Sequence, residues 1–115
     1  MTKQELNHHL VMLQQLEKNC KFLVSLEAAG LVDEAANIRN GIGNLDTEVQ
    51  QSAVTVAAWI DTIEDLPTRM IFRLRFLRGL EWKAVAALID GGRPGAAVRD
   101  ACLRYLKAHP EVSRD

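Results

Sequence analysis

The fold is decided by residues 66–88, which read LPTRMIFRLRFLRGLEWKAVAAL. Apolar residues recur here at steps of three and four, the spacing that one face of an α-helix requires. We predict a short helix over 68–78, a break at Gly79, and a second short helix over 82–89. In the first of these helices, Met70, Ile71, Leu74 and Leu77 are predicted to face inward, and Arg69, Arg73 and Arg75 to face outward.

A third short helix is predicted to follow these two. Residues 90–93 form a glycine-containing turn, and Pro94 suits the first helical position, where its missing N–H is not needed. This helix is predicted to run to about His109 and to stop at Pro110. Three short helices with a tight turn before the last outline a helix-turn-helix unit. The residues expected to form its core are Trp82, Val85, Ala86, Val98 and Leu106.

The first half of the chain predicts longer helices. Thr2 and Glu5 match a capping box, in which each side chain accepts a hydrogen bond from the backbone N–H of the other residue. An apolar stripe follows on one helical face and consists of Leu6, Leu10, Leu13, Leu16, Cys20 and Leu23. A first long helix is therefore predicted over 3–29, with Gly30 closing it.

Residues 31–45 are predicted to connect the first long helix to a second. They contain Asn40-Gly41-Ile42-Gly43-Asn44, which is rich in helix breakers, so we predict a connector with at most two helical turns. Asn44 or Asp46 is then expected to cap the second long helix. Its stripe consists of Val49, Ala53, Val56, Ile60 and Ile63. Pro67 either ends this helix or begins the next one.

Together these patterns predict an all-α fold. Residues 1–63 are expected to form a long antiparallel helical hairpin that resembles a coiled coil. Residues 64–109 are expected to form the three-helix, helix-turn-helix unit, and residues 110–115 a tail. Within the hairpin, residues 3–29 and 46–65 offer surfaces through which the chain could form a homo-oligomer.

The two segments of the chain carry opposite charge. The net charge of the whole chain is −1, which on its own argues against a nucleic-acid partner. However, residues 1–63 carry four basic and eight acidic side chains, whereas residues 64–109 carry nine basic and five acidic ones. Such an asymmetry can indicate nucleic-acid contact by the second segment, but a solvated basic surface without a partner accounts for the charge equally well. Any DNA contact is expected within residues 64–109, and the acidic first segment is expected to contact protein rather than phosphate.

The cysteines, the apolar runs and the lack of catalytic residue sets exclude several classes of protein. Cys20 and Cys102 lie far apart in the sequence, which is typical of reduced, partly buried thiols in a cytoplasmic protein. No stretch approaches the roughly 20 apolar residues of a membrane span, so we expect no contact with a membrane. The sequence offers no nucleophile, acid–base pair or set of metal ligands. We therefore expect no enzymatic activity, no cofactor and no metal.

Residues 64–108 resemble the promoter-reading C-terminal region of bacterial sigma factors. In that family, a helix ending in an arginine–aromatic pair meets a glycine, then a Trp or Tyr, and then an Ile/Val–Ala pair that packs the first helix of the helix-turn-helix. The matching residues here are Arg75-Phe76, Gly79, Trp82 and Val85-Ala86. The layout as a whole resembles small phage and prophage proteins of Gram-positive bacteria, which place a coiled-coil-like front before a sigma-like tail.

The resemblance implies a small transcriptional regulator that binds duplex DNA through its last helix, laid in the major groove. The residues it places at base edges are Arg93, Gly95, Ala96 and Arg99. Phosphate contacts position such a protein without reading sequence. The residues implied for those contacts are Arg73, Lys83, Arg104 and Lys107.

A protein-interaction module is the alternative interpretation. Gly95, Ala96 and Ala97 offer no polar side chain at positions where base readers are expected. The chain could therefore keep the helix-turn-helix scaffold and dock on RNA polymerase or another protein without specific DNA reading. Salt-dependent binding to duplex DNA distinguishes the two functions, because only the first releases counterions from phosphates.

Overall fold

The computed structural model describes residues 1–89 and 93–109, and all of its regular elements are helical, which confirms the all-α prediction. The elements are α1 (Lys3–Ala28), α2 (Val32–Ile60), α3 (Leu66–Phe72), a π-helical turn (Arg73–Leu77), α4 (Trp82–Ile89) and α5 (Gly95–Ala108). None of these described helices combines the length and apolarity that crossing a membrane demands. Residues 90–92 of the predicted turn, Pro110 and the tail over 110–115 lie outside the described residues.

Helix α1 begins and ends as predicted. The Thr2 hydroxyl accepts a hydrogen bond from the Glu5 N–H at 3.1 Å, and the Glu5 carboxylate accepts one from the Thr2 N–H at 3.0 Å. At the other end Gly30 takes a φ of +76°, and the Leu31 N–H donates to the Leu26 carbonyl at 3.0 Å. This arrangement is a Schellman motif, which glycine favours because it adopts positive φ without strain.

Helix α2 corrects the prediction of a connector over residues 31–45. It runs without interruption through Gly41 and Gly43, so neither Asn44 nor Asp46 caps it. A glycine inside a helix costs about 1 kcal/mol relative to alanine. The burial of a continuous apolar stripe offsets that cost here. The stripe consists of Ala35, Ile38, Ile42, Leu45, Val49 and Val56, all buried or partly buried.

Helices α1 and α2 run in opposite directions along each other. Near one end of the pair, the Arg39 guanidinium lies 2.7 Å from the Glu27 carboxylate. Toward the other end, Nδ1 of the buried His9 lies 2.8 Å from the Ser52 hydroxyl oxygen. Cys20 lies on the predicted stripe of α1 but is exposed, whereas its neighbour Asn19 is partly buried along with Leu16 and Leu23.

Pro67 begins the third helix rather than ending the second. Asp65 caps α3 by accepting hydrogen bonds from the Thr68 N–H and hydroxyl at 3.0 and 2.6 Å. The α-helical geometry then stops at Phe72, and the π-helical turn replaces the final turns of the helix predicted over 68–78. Ile71 is buried and Leu74 and Leu77 pack against the core as predicted. Phe72 and Phe76 are buried as well, whereas Met70, predicted to face inward, is 37% exposed.

One hydrophobic core joins the two ends of the chain. Leu6 and Leu10 of α1 and Ile60 of α2 belong to the same cluster as Phe72. The Trp59 ring also meets the Phe72 ring edge-on, with centroids 5.2 Å apart. Of the predicted scaffold residues, the buried ones are Val85, Ala86, Val98 and Leu106, and Trp82 packs against them partly exposed. The hydrophobic core therefore contains residues from both sides of residue 63.

Candidate nucleic-acid interface

The contact between α4 and α5 is built on Gly95. A Cβ atom at this position would lie 2.9 Å from the Lys83 backbone nitrogen and 3.0 Å from the Trp82 carbonyl carbon. Only glycine permits this approach without a shift of the backbone. Gly95, which the resemblance places at a base edge, therefore also packs closely against the start of α4. Pro94 is the residue directly before α5, so this helix begins one residue later than predicted.

Helix α5 has a buried face and an exposed basic face. Val98, Cys102 and Leu106 form the buried face, at four-residue spacing. The exposed residues of this helix are Ala96, Arg99, Asp100, Arg104, Lys107 and Ala108. Three of these six are basic and one is acidic. Arg104 and Lys107 point away from the buried face, and Arg99 lies at its border. We refer to Arg99, Arg104 and Lys107 together as the α5 basic face.

The single carboxylate on this side of α5 only weakly offsets its charge. Asp100 lies 3.6 Å from the Arg99 Nε, and both side chains are about half exposed. An exposed ion pair of this kind contributes about 0–1 kcal/mol, because water and salt screen it. The α5 basic face thus remains available to an anionic partner.

The other predicted phosphate and base contacts lie in different surroundings. Lys83 is exposed in the first turn of α4, beside the Gly95 contact. Arg93 is partly buried, and its Nη2 donates to the Ala97 carbonyl at 3.5 Å in the first turn of α5. Arg73 lies against the end of α2, where its Nη1 is 3.5 Å from the Asp61 carboxylate. Arg73 is thus the predicted contact already engaged with an acidic side chain of the first segment.

Arg75 was expected to face largely outward, but its guanidinium lies over the Trp82 ring, with the guanidinium carbon 4.9 Å from the ring centroid. Its Nη1 donates to the Leu80 carbonyl at 2.9 Å, and its buried Nε has no hydrogen-bond partner. Burial lowers the pKa of this guanidinium from its ordinary value. Only the Arg-aromatic spacing before Trp82 hints at this arrangement in the sequence. Arg69 is likewise only partly exposed, and its Nε donates to the Ile63 carbonyl at 2.9 Å.

Lys3 is a second basic residue near α5 that the sequence does not indicate. It lies in the first turn of α1, inside the acidic segment. Nevertheless, Lys3, Arg75 and Arg99 line one surface cavity together. The shared core brings the start of α1 to the side of α5, and no local pattern encodes that approach. The basic surface around α5 therefore includes a residue from the first segment.

In comparisons with known proteins, no family model, curated protein or solved structure matches the chain. Within residues 1–89 and 93–109, no group of three or more His, Cys, Asp and Glu side chains is placed to hold a metal ion.

Proposed function

We propose that the chain is a small DNA-binding transcriptional regulator of the phage or prophage sigma-like type. In this proposal α3, α4 and α5 act as the helix-turn-helix unit, and α5 lies in the major groove. The observation that carries the proposal is the α5 basic face, whose three side chains are exposed on the helix that packs into the core through Val98, Cys102 and Leu106. The close contact of Gly95 with the start of α4 supports it, because it gives α5 a rigid support.

Helices α1 and α2 have a different role in this proposal. We interpret them as a helical hairpin. The start of α1 and the end of α2 complete the core of the helix-turn-helix unit. Their acidic surface repels phosphate, so DNA approaches from the side of α5. The other end of the hairpin, where α1 is joined to α2, is then free to contact RNA polymerase or a second copy of the chain.

Salt-dependent binding to duplex DNA tests the proposal. Each phosphate contact contributes a slope of about −0.9 to log K against log salt concentration on B-DNA. We expect Arg104→Ala and Lys107→Ala each to weaken binding on all sequences and to reduce the magnitude of this slope by about 1. Lys18→Ala is the matched control, because it removes one exposed charge from α1, away from α5.

Two results would count against the proposal. One is the absence of binding to DNA at low salt, where electrostatic attraction is strongest. The other is an unchanged affinity and slope in both α5 variants, since basic residues elsewhere would then carry the interaction and α5 would not be the helix that contacts DNA. A slope that falls equally in Lys18→Ala would show that the effect follows net charge rather than α5.

A protein-interaction module without DNA reading is the second candidate function. Large apolar side chains are exposed where α1 is joined to α2, at the consecutive residues Leu31 and Val32. Phe22 and Val24 are also exposed, on α1. Clustered apolar groups at the surface are typical of protein contact sites. Light scattering that detects a dimer, together with no DNA binding at low salt, would favour this function.

A further inference from the structure

A cavity of about 300 Å³ lies between the start of α1, the π-helical turn and α5. This volume is at the lower end of the range that small-molecule sites occupy in proteins. Its polar lining consists of Lys3, Asn7, Arg75, Arg99 and Asp100. Its apolar lining consists of Phe76, Trp82, Cys102, Leu103 and Leu106.

The charges around this cavity are unbalanced. Three basic side chains face one carboxylate, and that carboxylate already lies 3.6 Å from the Arg99 Nε. Within the described residues, Lys3 forms no ion pair. The lining therefore carries an excess of positive charge in a partly enclosed space, where an anion is attracted more strongly than at an open surface.

Arg75 gives this cavity the character of a built site. Its side chain is held over Trp82 by the ring contact and by the bond to the Leu80 carbonyl. Its Nε remains buried without an acceptor, which is uncommon for a polar atom in a folded protein. The π-helical turn carries both Arg75 and Phe76 to the cavity, and such turns frequently occur at functional sites.

The remaining walls of the cavity suit an aromatic ring. Phe76 and Trp82 meet edge-to-face, with centroids 6.4 Å apart, and both rings line the space. Burial raises the pKa of the Cys102 thiol to about 12, so this side chain is neutral and behaves as a small apolar group. Leu103 and Leu106 complete the apolar side.

We propose that this cavity binds a small aromatic carboxylate. The carboxylate lies among Lys3, Arg75 and Arg99, and the ring lies against Phe76 and Trp82. A neutral ring leaves the positive charges unmatched, and an inorganic anion leaves the apolar walls in contact with water. An aromatic carboxylate satisfies both halves of the site and is small enough to enter it.

Titration of the full chain with benzoate, followed by NMR, tests this site at constant ionic strength. We expect a saturable shift of the Trp82 indole N–H signal with a dissociation constant in the millimolar range. The Trp59 indole is an internal control, because Trp59 does not line this cavity. Benzyl alcohol has the ring without the charge, and acetate has the charge without the ring. We expect each to bind at least tenfold more weakly than benzoate.

Variants separate the charge of the site from its shape. Lys3→Ala removes a positive charge from the first turn of α1, where the helix dipole disfavours it, so the fold is retained. We expect it to weaken benzoate binding about two- to fivefold, as for one partly exposed ion contact. Arg99→Gln is expected to act in the same direction, whereas Lys18→Ala on the same helix as Lys3 is expected to change nothing.

Several outcomes would overturn the proposal. They are no saturable shift with benzoate, equal binding of benzyl alcohol, equal binding of acetate, or an unchanged affinity in both Lys3→Ala and Arg99→Gln. Equal shifts at Trp59 and Trp82 would show non-specific association and would overturn it too. The titration contains no nucleic acid, so its result is independent of DNA binding.

Discussion

Replacing Gly95 with alanine tests whether α5 rests directly on the backbone of α4. The new Cβ atom would lie 2.9 Å from the Lys83 nitrogen and 3.0 Å from the Trp82 carbonyl carbon, and backbone atoms cannot rotate out of the way. Overpacking of this kind costs about 1–3 kcal/mol. Removing a glycine from a helix returns up to about 1 kcal/mol. We therefore expect the free energy of unfolding to fall by about 1–2 kcal/mol.

Urea denaturation followed by circular dichroism measures this change. With a urea dependence of about 2 kcal/mol per molar, the midpoint is expected to fall by roughly 0.5–1 M. Gly41→Ala is the matched control, because a Cβ atom there meets nothing within 4 Å. The same substitution is expected to stabilise the chain by about 0.5–1 kcal/mol at that position. A Gly95→Ala variant as stable as the Gly41→Ala variant would refute the close approach of α4 and α5.

Three further predictions concern buried groups. Burial lowers the pKa of His9 below its ordinary value near 6.5, against an opposing backbone hydrogen bond with Phe76. The unfolded chain therefore takes up this proton first, and stability is expected to fall as the pH drops below about 6.5. Urea midpoints at high and low pH are expected to differ less in His9→Gln than in the wild type, and an equal difference would exclude His9 as the cause. An Ellman assay is expected to titrate only the exposed Cys20 in native buffer and also the buried Cys102 in urea, because burial raises the pKa of Cys102 to about 12. Deleting residues 1–30 removes Leu6 and Leu10 from the core and is expected to abolish cooperative thermal unfolding, whereas a sharp transition would contradict the shared core.

Local sequence signals predict the helix ends well. The capping box at Thr2 and the glycine at Gly30 bound α1 as expected, since both act through atoms close in the sequence. Gly79 adopts a φ of +72° and interrupts the helical structure before α4, also as expected. These features depend on backbone hydrogen bonds within a few residues, so reasoning from composition and spacing reaches them.

The errors arise where distant contacts outweigh local preference. Gly41 and Gly43 indicate a break, but the apolar stripe continues through them and α1 covers it, so α2 stays helical. The π-helical turn carries no local signature, and it turns Arg75 from the surface toward Trp82. Both outcomes depend on packing partners far away in the sequence, which hydrophobic periodicity alone does not identify.

The candidate site shows why charge counted along the chain differs from charge counted in space. Counting by segment correctly separates an acidic first part from a basic second part. However, Leu6 and Leu10 pack into the core that also holds Val98, so the first turns of α1 lie beside α5. Lys3 is thereby added to the basic surroundings of α5 although its own segment is acidic. The orientation of α5 therefore depends on α1, and the segment over 64–109 is not expected to act as an independent binding unit.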